Sequence, residues 1–475
     1  MYNGYVTRIK NLHKHPNADR LQIGECFGNN VIVSLDYTPD MLGVYFPSDG
    51  QLSLEFAEQN NLLRKKDEAG NNIGGYMDPD KRNITAVKLR GEKSDGLFLP
   101  LSCLSYTGIQ LSDLTEGTTI TVVNGHEICQ KYIPKTNCRY TCSDGSQNKA
   151  HKKKIKKIDI APLFQEHVDT EQLNYNLEAF KPGDLVEITL KMHGTSQRTG
   201  YLPVFKKYKK SFMDIIRRRD GKPIYEYNYI SGTRRVVLSD YEGGFYGSNA
   251  FREKHSKFFE GKLWKGETVY YEVVGFTDTG VPIMNDANNK KLNDKEFIKQ
   301  YGETTRFSYG CEPAGKVIRH GRDDISPYSI ELEAPQSDVY VYRMTMTNED
   351  GCVVEYAPDF MRYRCEQMGV KSVPVFWQGY IPTSINTQKD TEGNEVSNIT
   401  PGEFVKDIAE QYYDGPDPIG KTHIREGVVC RIVNRPKFTA YKTKNWFFKA
   451  LEGIVKVDAK APDMEEAQDE TVEKN

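Results

Sequence analysis

A lysine at the end of a predicted strand is the first residue whose position suggests chemistry. The alternation of residues 184–190 predicts a strand that delivers Lys191 into a turn containing Gly194. Because glycine has no Cβ, the backbone of such a turn can approach a phosphate closely. An amine held there with a lowered pKa can attack phosphorus. The spacing alone is weak, since a surface lysine before a hairpin turn has the same pattern.

Two glutamates occur inside sequences that otherwise favour buried strands. Glu272 lies in VYYEVVGF and Glu426 in HIREGVVCRIV. A carboxylate among valines and aromatics is costly unless it accepts hydrogen bonds or binds a ligand. Further along, Lys442 and Lys444 are two residues apart in YKTK, so on a strand both ammonium groups can meet one anion. Each motif alone fits a structural strand, but together and in this order they indicate a site.

The order of these motifs resembles that of the nucleotidyltransferases, the ATP-dependent ligases and capping enzymes. KMHGTS is similar to their motif I, YYEVVGF to motif III, EGVVCR to motif IV and YKTK to motif V. His193 stands where DNA ligases and capping enzymes usually carry Asp, which points to RNA ligases. The N-terminal part and the phrases ISGTRRVVL, VYVYRMTMTNEDG and FFKALEG resemble the Deinococcus-type RNA ligases, which append an OB module in front of the ligase domain.

The strand patterns and the resemblance together imply an α+β fold. We expect an N-terminal OB-like β-barrel, followed by a nucleotidyltransferase (ATP-grasp-like ligase) domain of antiparallel sheets flanked by helices. The tail carries seven acidic and two basic residues without an apolar period, which predicts disorder. The predicted domains are an RNA-binding OB module at 1–135, a basic linker at 136–160, the adenylyltransferase domain at 161–457 and the acidic tail at 458–475.

The resemblance implies a role for each central residue. Lys191 would attack the α-phosphorus of ATP and carry AMP covalently, after which AMP passes to an RNA 5′-phosphate and a 3′-hydroxyl displaces it. Glu426 would hold Mg²⁺ or Mn²⁺ through waters, and Glu272 would accept a hydrogen bond from the ribose. Lys442 and Lys444 would bind the α-phosphate and, as like charges, lower the pKa of Lys191.

Further nucleotide contacts are implied in the same way. Arg234 would contact phosphate, with Arg235 as the alternative, and strand alternation would send the two to opposite faces. Tyr340 and Tyr342 share one face of a predicted strand, and one of them would stack on adenine, although two core tyrosines are an equal alternative. The other expected nucleotide contacts are His193, Gly194, His167 and Thr170.

A basic insertion follows Tyr201 and gives a local excess of six positive charges. Such an excess suits a polyanionic strand, with an affinity that falls with salt. A solvated basic helix or loop is the alternative. The expected RNA-binding residues are Lys206, Lys207, Lys209, Lys210, Arg217, Arg218 and Arg219. The segment HPNADRL is also similar to the opening of tRNA-binding OB modules, although its residues equally fit an ordinary turn.

The sequence therefore predicts an ATP-dependent RNA ligase that joins RNA 5′-phosphate and 3′-hydroxyl ends, in a nicked duplex, a tRNA or a loose single strand. Two alternatives stay open. One is a GTP-using capping enzyme or a DNA ligase, which His193 and the position of the barrel disfavour. The other is a tRNA-binding protein with an inactive nucleotidyltransferase domain.

Composition limits the setting in which this chain acts. The 475 residues carry 64 basic and 66 acidic side chains, so the net charge does not indicate which kind of partner the protein binds. No apolar run approaches the roughly 18 residues of a membrane span. Nine cysteines, an odd number, fit a reduced intracellular compartment. We expect a cytoplasmic monomer without a membrane segment.

Overall fold

The computed structural model describes most of the chain, with gaps. The described residues are 2–66, 72–132, 160–212, 221–238, 241, 246, 249–311, 315–319, 328–332, 336–383, 385, 387–389, 395–397, 399–420 and 422–457. Three of the predicted regions lie outside them, namely residues 136–159 of the basic linker, Arg217 to Arg219 of the basic insertion, and the acidic tail.

The described strands are mostly short. Up to residue 132 they are β1 (Gly4–Arg8), β2 (Lys10–Lys14), β3 (Leu21–Cys26), β4 (Asn29–Ser34), β5 (Leu42–Phe46), β6 (Gly50–Leu52), β7 (Lys65–Lys66), β8 (Asn72–Gly74), β9 (Val87–Leu89), β10 (Glu92–Ser94), β11 (Leu97–Pro100), β12 (Thr119–Ile120), β13 (Val122–Val123), β14 (His126–Glu127) and β15 (Cys129–Lys131). They continue as β16 (Glu171–Gln172), β17 (Leu185–Leu190), β18 (Thr195–Lys209), β19 (Lys222–Gly232), β20 (Glu267–Gly275), β21 (Ala287–Asn288), β22 (Thr304–Thr305), β23 (Gly315–Arg319), β24 (Tyr328–Leu332), β25 (Ser337–Thr347), β26 (Val353–Glu355), β27 (Lys371–Ser372), β28 (Val375–Tyr380), β29 (Thr387–Lys389), β30 (Glu395–Ser397), β31 (Gly427–Ile432) and β32 (Thr439–Lys444).

Helices are few among the described residues. The α-helices are α1 (Leu54–Gln59), α2 (Ala250–Phe258), α3 (Lys295–Tyr301), α4 (Pro358–Met368), α5 (Pro401–Tyr412) and α6 (Trp446–Val457), and short 3₁₀ turns occur at Leu101–Thr107, Leu111–Asp113, Leu173–Tyr175, Leu177–Ala179 and Asn289–Leu292. Helix α5 begins with a complete capping box between Thr400 and Glu403, with proline at its first turn. No described helix is long and apolar enough to cross a membrane.

The chain divides into two compact units. The first unit contains the described residues within 1–135, 287–304 and 444–462, and the second unit contains those within 136–286 and 305–443. Both the excursion that carries α3 and the C-terminal helix α6 therefore belong with the N-terminal residues. The first unit is thus assembled from three separate stretches of sequence.

The first unit is built on small antiparallel sheets. One sheet has four strands in the order β11-β5-β1-β12, and another has three in the order β2-β3-β4. Val6 and Val44 of the larger sheet pack on Phe46, Leu52 and Phe56 in a closed apolar core. Over residues 2–66 and 72–132 the hydrogen bonding does not close into one barrel, so the expected OB-like barrel is not confirmed.

The C-terminal helix is anchored within the first unit by specific contacts. The ring of Phe447 stacks on Phe297 of α3, with centroids 4.7 Å apart. Lys93 places its ammonium 4.2 Å from the centre of the Phe447 ring. Lys449 donates to the buried carboxylate of Asp95 at 2.6 Å. These contacts join all three stretches of the first unit into one core.

The second unit contains two larger sheets that are antiparallel apart from two short edge pairings. A five-stranded sheet has the order β16-β32-β31-β17-β28, and β16 runs parallel to β32. The second sheet has the order β19-β18-β20-β25-β26, and β27 pairs with β25 in parallel. Val186 and Ile188 of β17 pack with Val428 and Cys430 of β31 beneath α5. The expectation of antiparallel sheets with a few helices is confirmed for this unit.

Candidate active site

The predicted strand at residues 184–190 forms as β17 and positions Lys191. Its alternation holds, because Val186 and Ile188 enter the core while Glu187 and Thr189 line a pocket. Lys191 follows directly and donates its backbone N–H to the Gly427 carbonyl at 3.0 Å. Pairing between β17 and β31 thereby brings the lysine beside the start of β31.

The central interaction is an ion pair between Lys191 and Glu426. The Nζ atom of Lys191 lies 2.7 Å from Oε1 of Glu426, and the two side chains are 14% and 2% exposed. The other carboxylate oxygen of Glu426 lies 3.4 Å from Nδ1 of His193. Glu426 therefore contacts both polar side chains of the turn. Because both side chains are largely buried, removing one partner would cost far more than breaking an exposed pair.

Gly194 is required by packing inside the protein. A Cβ at this position would lie 2.4 Å from the Val273 carbonyl oxygen and 2.9 Å from Cγ of Glu272. Any larger residue would therefore push the turn away from β20. The sequence predicts that this glycine admits a phosphate, whereas its close approach in the structure is to the neighbouring strand. The same contact holds the turn against Glu272, which is buried and lines the pocket.

Seven of the predicted nucleotide-site residues line one pocket of the second unit. The pocket also contains Glu187, Thr189, Ser196, Arg431 and Phe438. Five other predicted site residues are not among its lining residues, namely His193, Gly194, Tyr340, Glu426 and Lys444. The predicted members that do line it are His167, Thr170, Lys191, Arg234, Glu272, Tyr342 and Lys442.

The two tyrosines of β25 differ in their surroundings. The hydroxyl of Tyr342 lies 2.9 Å from Oγ of Ser196 and 3.1 Å from Nδ1 of His167. Burial raises the pKa of Tyr342 above its ordinary value, so the hydroxyl stays protonated. The ring of Tyr340 instead lies under Lys371, whose Nζ is 5.5 Å from the ring centre. Tyr342 is thus the tyrosine that faces the pocket.

Arg234 and Arg235 do not point to opposite faces, so that prediction is wrong. They lie in a bend after β19, where strand alternation does not apply. Both donate to Asp169, Arg234 through Nε at 2.9 Å and Arg235 through Nη2 at 3.1 Å. Burial raises the pKa of Asp169, but the charges of Arg234 and Arg235 outweigh it and hold the pKa below its ordinary value. Asp169 thereby fixes Arg234 at the pocket wall.

The two lysines of β32 have different partners. Lys442 lines the pocket in the second unit. Lys444 belongs to the first unit and donates to the Glu452 carboxylate of α6 at 2.8 Å. The sequence predicts that both ammonium groups converge on one anion. In this structure Lys442 is the lysine placed for such a contact, while Lys444 fastens the start of α6.

A buried aromatic cluster supports the turn that carries His193. The backbone N–H of His193 donates to the hydroxyl of Tyr309 at 2.7 Å, and the Tyr309 ring packs against His423 with centroids 4.6 Å apart. His423 and Asp417 are fully buried. Burial lowers the pKa of His423 and raises that of Asp417, so both shift toward their neutral forms. No local pattern in the sequence indicates this cluster.

The substitution Tyr309→Phe should weaken this support. It keeps the ring but removes the acceptor of the His193 N–H, which costs about 1–3 kcal/mol when the donor is left buried. We expect a lower melting temperature and, because the turn beside Lys191 loosens, slower covalent labelling by nucleotide, by about tenfold. Tyr45→Phe is a matched control, since Tyr45 donates to the Asp95 carbonyl at 2.8 Å in the first unit. Labelling by Tyr309→Phe at the wild-type rate would contradict the positioning role.

Sequence reasoning missed several residues of the pocket, among them Glu187, Arg431 and Phe438. Glu187 accepts a hydrogen bond from Arg362 at 2.6 Å, and its pKa is raised by burial although Arg362 offsets part of the shift. Phe438 lies 5.1 Å from the guanidinium of Arg431, whose pKa burial lowers. Arg431 is the last residue of the EGVVCR motif, but the motif alone does not indicate that its side chain lines the pocket. Phe438 precedes β32 in a turn whose direction no pattern predicts.

The N-terminal segment HPNADRL forms a hydrogen-bonded turn. His15 is 1% exposed, and its Nδ1 accepts from the Asn17 backbone while its Nε2 lies 3.2 Å from the Leu89 carbonyl. Lys88, one of the nearby basic residues, pairs with Asp294 at 2.8 Å. The turn interpretation therefore accounts for His15.

Comparison with known proteins finds similarity in structure but not in sequence. No family model matches the sequence, and no curated protein matches it. An alanine variant of Naegleria gruberi RNA ligase with ATP and Mn aligns at a TM-score of 0.50 and 15% identity, covering 94% of this chain and 97% of that one. The chain has a fold similar to that of an RNA ligase. An apo variant of the same ligase gives a TM-score of 0.50 and 16% identity, with the same coverage. This similarity supports an RNA ligase fold but does not test the resemblance to the Deinococcus type, which stays a prediction.

Proposed function

We propose that this protein is an ATP-dependent RNA ligase that works through a covalent lysyl-AMP intermediate. The observation that carries the proposal is that Lys191 lines one pocket of an RNA-ligase-like fold together with Glu272 and Lys442, and pairs with the buried Glu426. These residues are the ones that resemble motifs I, III, IV and V. The Naegleria ligase, whose fold this chain resembles, is known with ATP and Mn.

In the first step Lys191 would act as the nucleophile. The neutral form of its amine forms a bond to the α-phosphorus of ATP and releases a proton, while the bond from that phosphorus to the bridging oxygen breaks and pyrophosphate leaves. Lys442, which lines the same pocket, would neutralise the charge that develops on the α-phosphate. Glu272 offers a buried carboxylate to a ribose hydroxyl, and Tyr342 offers a ring beside the adenine. Arg234, held by Asp169, supplies a further phosphate contact.

The residues present also fit a divalent cation. Mg²⁺ and Mn²⁺ prefer oxygen ligands, keep much of their water and usually take one or two carboxylates together with substrate phosphates. Glu426 provides such a carboxylate next to the nucleophile. When bound there, the cation would stabilise phosphate oxygens and compete with Lys191 for the Glu426 carboxylate.

The later steps would use RNA ends. An oxygen of the RNA 5′-phosphate attacks the phosphorus of lysyl-AMP, which frees Lys191 and gives an adenylated RNA end. A 3′-hydroxyl then attacks the 5′-phosphate and releases AMP. We further propose that the first unit positions RNA as an OB-type module, of the kind that the Deinococcus-type ligases carry.

Covalent labelling tests the proposal. The purified protein is incubated with Mg²⁺ or Mn²⁺ and with ATP or GTP labelled at the α-phosphate, followed by denaturing electrophoresis and peptide mapping. We expect label from ATP on the peptide that contains Lys191. Label from GTP alone would favour a capping-type enzyme. No label from either nucleotide, in folded protein shown to carry no AMP beforehand, would contradict nucleotidyl transfer and favour an RNA-binding role.

A further inference from the structure

Strands β18 and β19 extend beyond the six-stranded sheet as a two-stranded ribbon. β18 pairs with β20 only as far as Gly200, whereas its pairing with β19 continues to Lys209 opposite Lys222. On one face of the ribbon, Leu202 and Ile230 pack on Phe164 in a small apolar cluster. The opposite face is therefore the one available to a partner.

That opposite face carries a ladder of aromatic rings, which we call the aromatic face. Tyr201 lies opposite Tyr229 with ring centroids 4.6 Å apart and nearly parallel planes. Phe205 lies opposite Tyr225, and Tyr227 lies between these two pairs. All five rings are half-buried, so each keeps surface open to solvent. Cross-strand aromatic pairs stabilise a ribbon, but they also form a row of surfaces on which bases can stack.

Positive charge lies beside the aromatic face and at the distal end of the ribbon. Lys207, Lys209 and Lys222 are exposed at that end, where the strand register places them on the face opposite the rings. Lys265 contributes from a neighbouring loop, with its ammonium 5.3 Å from the centre of the Tyr227 ring. Glu226 is the one acidic residue of the two strands, and Lys206 pairs with it at 2.7 Å. The ribbon therefore presents half-exposed rings on one face, with Lys265 beside them and further cations at its distal end. This combination suits single-stranded nucleic acid.

We propose that the aromatic face binds the single-stranded RNA next to the end being joined, with bases stacked on the rings and phosphates on the lysines. This inference rests on the proposed function for the identity of the strand. β18 starts directly after the Lys191 turn, and Tyr201 lies six residues beyond Thr195. At about 3.3 Å per residue this separation is about 20 Å, a length that a few nucleotides span. Duplex RNA would not fit, since its bases are already stacked.

Binding of a fluorescent 5′-phosphorylated single-stranded RNA, measured by anisotropy, tests the inference. Tyr227→Leu keeps an apolar strand-forming side chain but removes the ring, so we expect about tenfold weaker binding. Tyr227→Phe keeps the ring and should bind like the wild type. The double variant Lys207→Gln/Lys209→Gln should reduce the dependence of log affinity on log salt by about 0.7 for each phosphate that is no longer neutralised. Melting temperatures establish that each variant is folded.

The matched control is Tyr380→Leu, which removes a tyrosine that is 65% exposed on the other sheet. Wild-type affinity for Tyr227→Leu together with an unchanged salt slope in the lysine variant would overturn the inference. So would equal weakening by Tyr227→Leu and Tyr380→Leu, or a preference for blunt duplex RNA. Labelling of the wild-type protein with ATP alone reports on the proposed function separately. Absent labelling with Tyr227-dependent RNA binding would overturn the catalytic proposal and leave the binding surface standing.

Discussion

Lys191→Ala is expected to leave no detectable covalent AMP on the protein. In the proposed mechanism this side chain supplies the attacking nitrogen. Among the described residues that line the pocket, the other amine is that of Lys442 on β32, and Lys191 is the one that pairs with Glu426. Loss of the nucleophile in a group-transfer enzyme typically removes several orders of magnitude of rate. The measurement is the yield of labelled protein after incubation with α-labelled ATP. The alanine variant should still bind ATP through the rest of the pocket.

The same substitution should also destabilise the fold. It leaves the 2% exposed carboxylate of Glu426 without its ammonium partner, and breaking a buried pair in this way costs about 3 kcal/mol. The double variant Lys191→Met/Glu426→Gln removes both charges and should recover most of that stability without recovering labelling. Lys206→Ala is the control, since its pair with Glu226 is about half exposed. Full labelling of Lys191→Ala would refute the assignment of the nucleophile.

Glu426→Gln should slow covalent labelling by about a hundredfold and shift its dependence on divalent cation to higher concentrations. The amide keeps an oxygen near Lys191 but loses the charge that attracts Mg²⁺ or Mn²⁺. Labelling rates measured across a titration of metal concentration separate a weaker metal affinity from a slower chemical step. Because the substitution is isosteric, the pocket should keep its shape.

Glu116→Gln serves as the control for this second substitution. Glu116 pairs with Arg8 at 3.6 Å on the surface of the first unit, where the side chains are about half exposed. Its loss should change neither the labelling rate nor the metal titration. A wild-type metal response in Glu426→Gln would place the cation elsewhere in the pocket.

The sequence revealed the residues that strand patterns control. Lys191, Glu272 and Lys442 each lie in or next to a short β-prone run, and the structure brings all three to one pocket. The alternation of residues 184–190 correctly predicts the strand β17. The antiparallel sheets of the second unit follow from the same patterns. These features depend on neighbours along the chain, so a single sequence contains the information.

The missed features depend on residues that are distant in the sequence. Tyr309 supports the backbone of His193 from 116 residues away, and Arg362 meets Glu187 across 175 residues. No local period predicts which far segments pack together. The prediction that Arg234 and Arg235 point to opposite faces is wrong for a different reason. It assumes a strand, whereas these residues lie in a bend.

The three-part construction of the first unit bears on how the protein can be dissected. Deletion of residues 1–135 would remove Asp95 and Lys93 but keep α6. Lys449 would then lose its carboxylate partner Asp95, and Phe447 would lose the ammonium of Lys93. The remaining fragment would expose the apolar side of α6 and leave the Lys449 ammonium without its Asp95 partner. It would therefore tend to aggregate, whether or not it keeps catalytic activity. To study the second unit by itself, residues 1–135 should be removed together with α6 and the segment 287–304 that carries α3, or the apolar side chains of α6 and that segment should be replaced by polar ones.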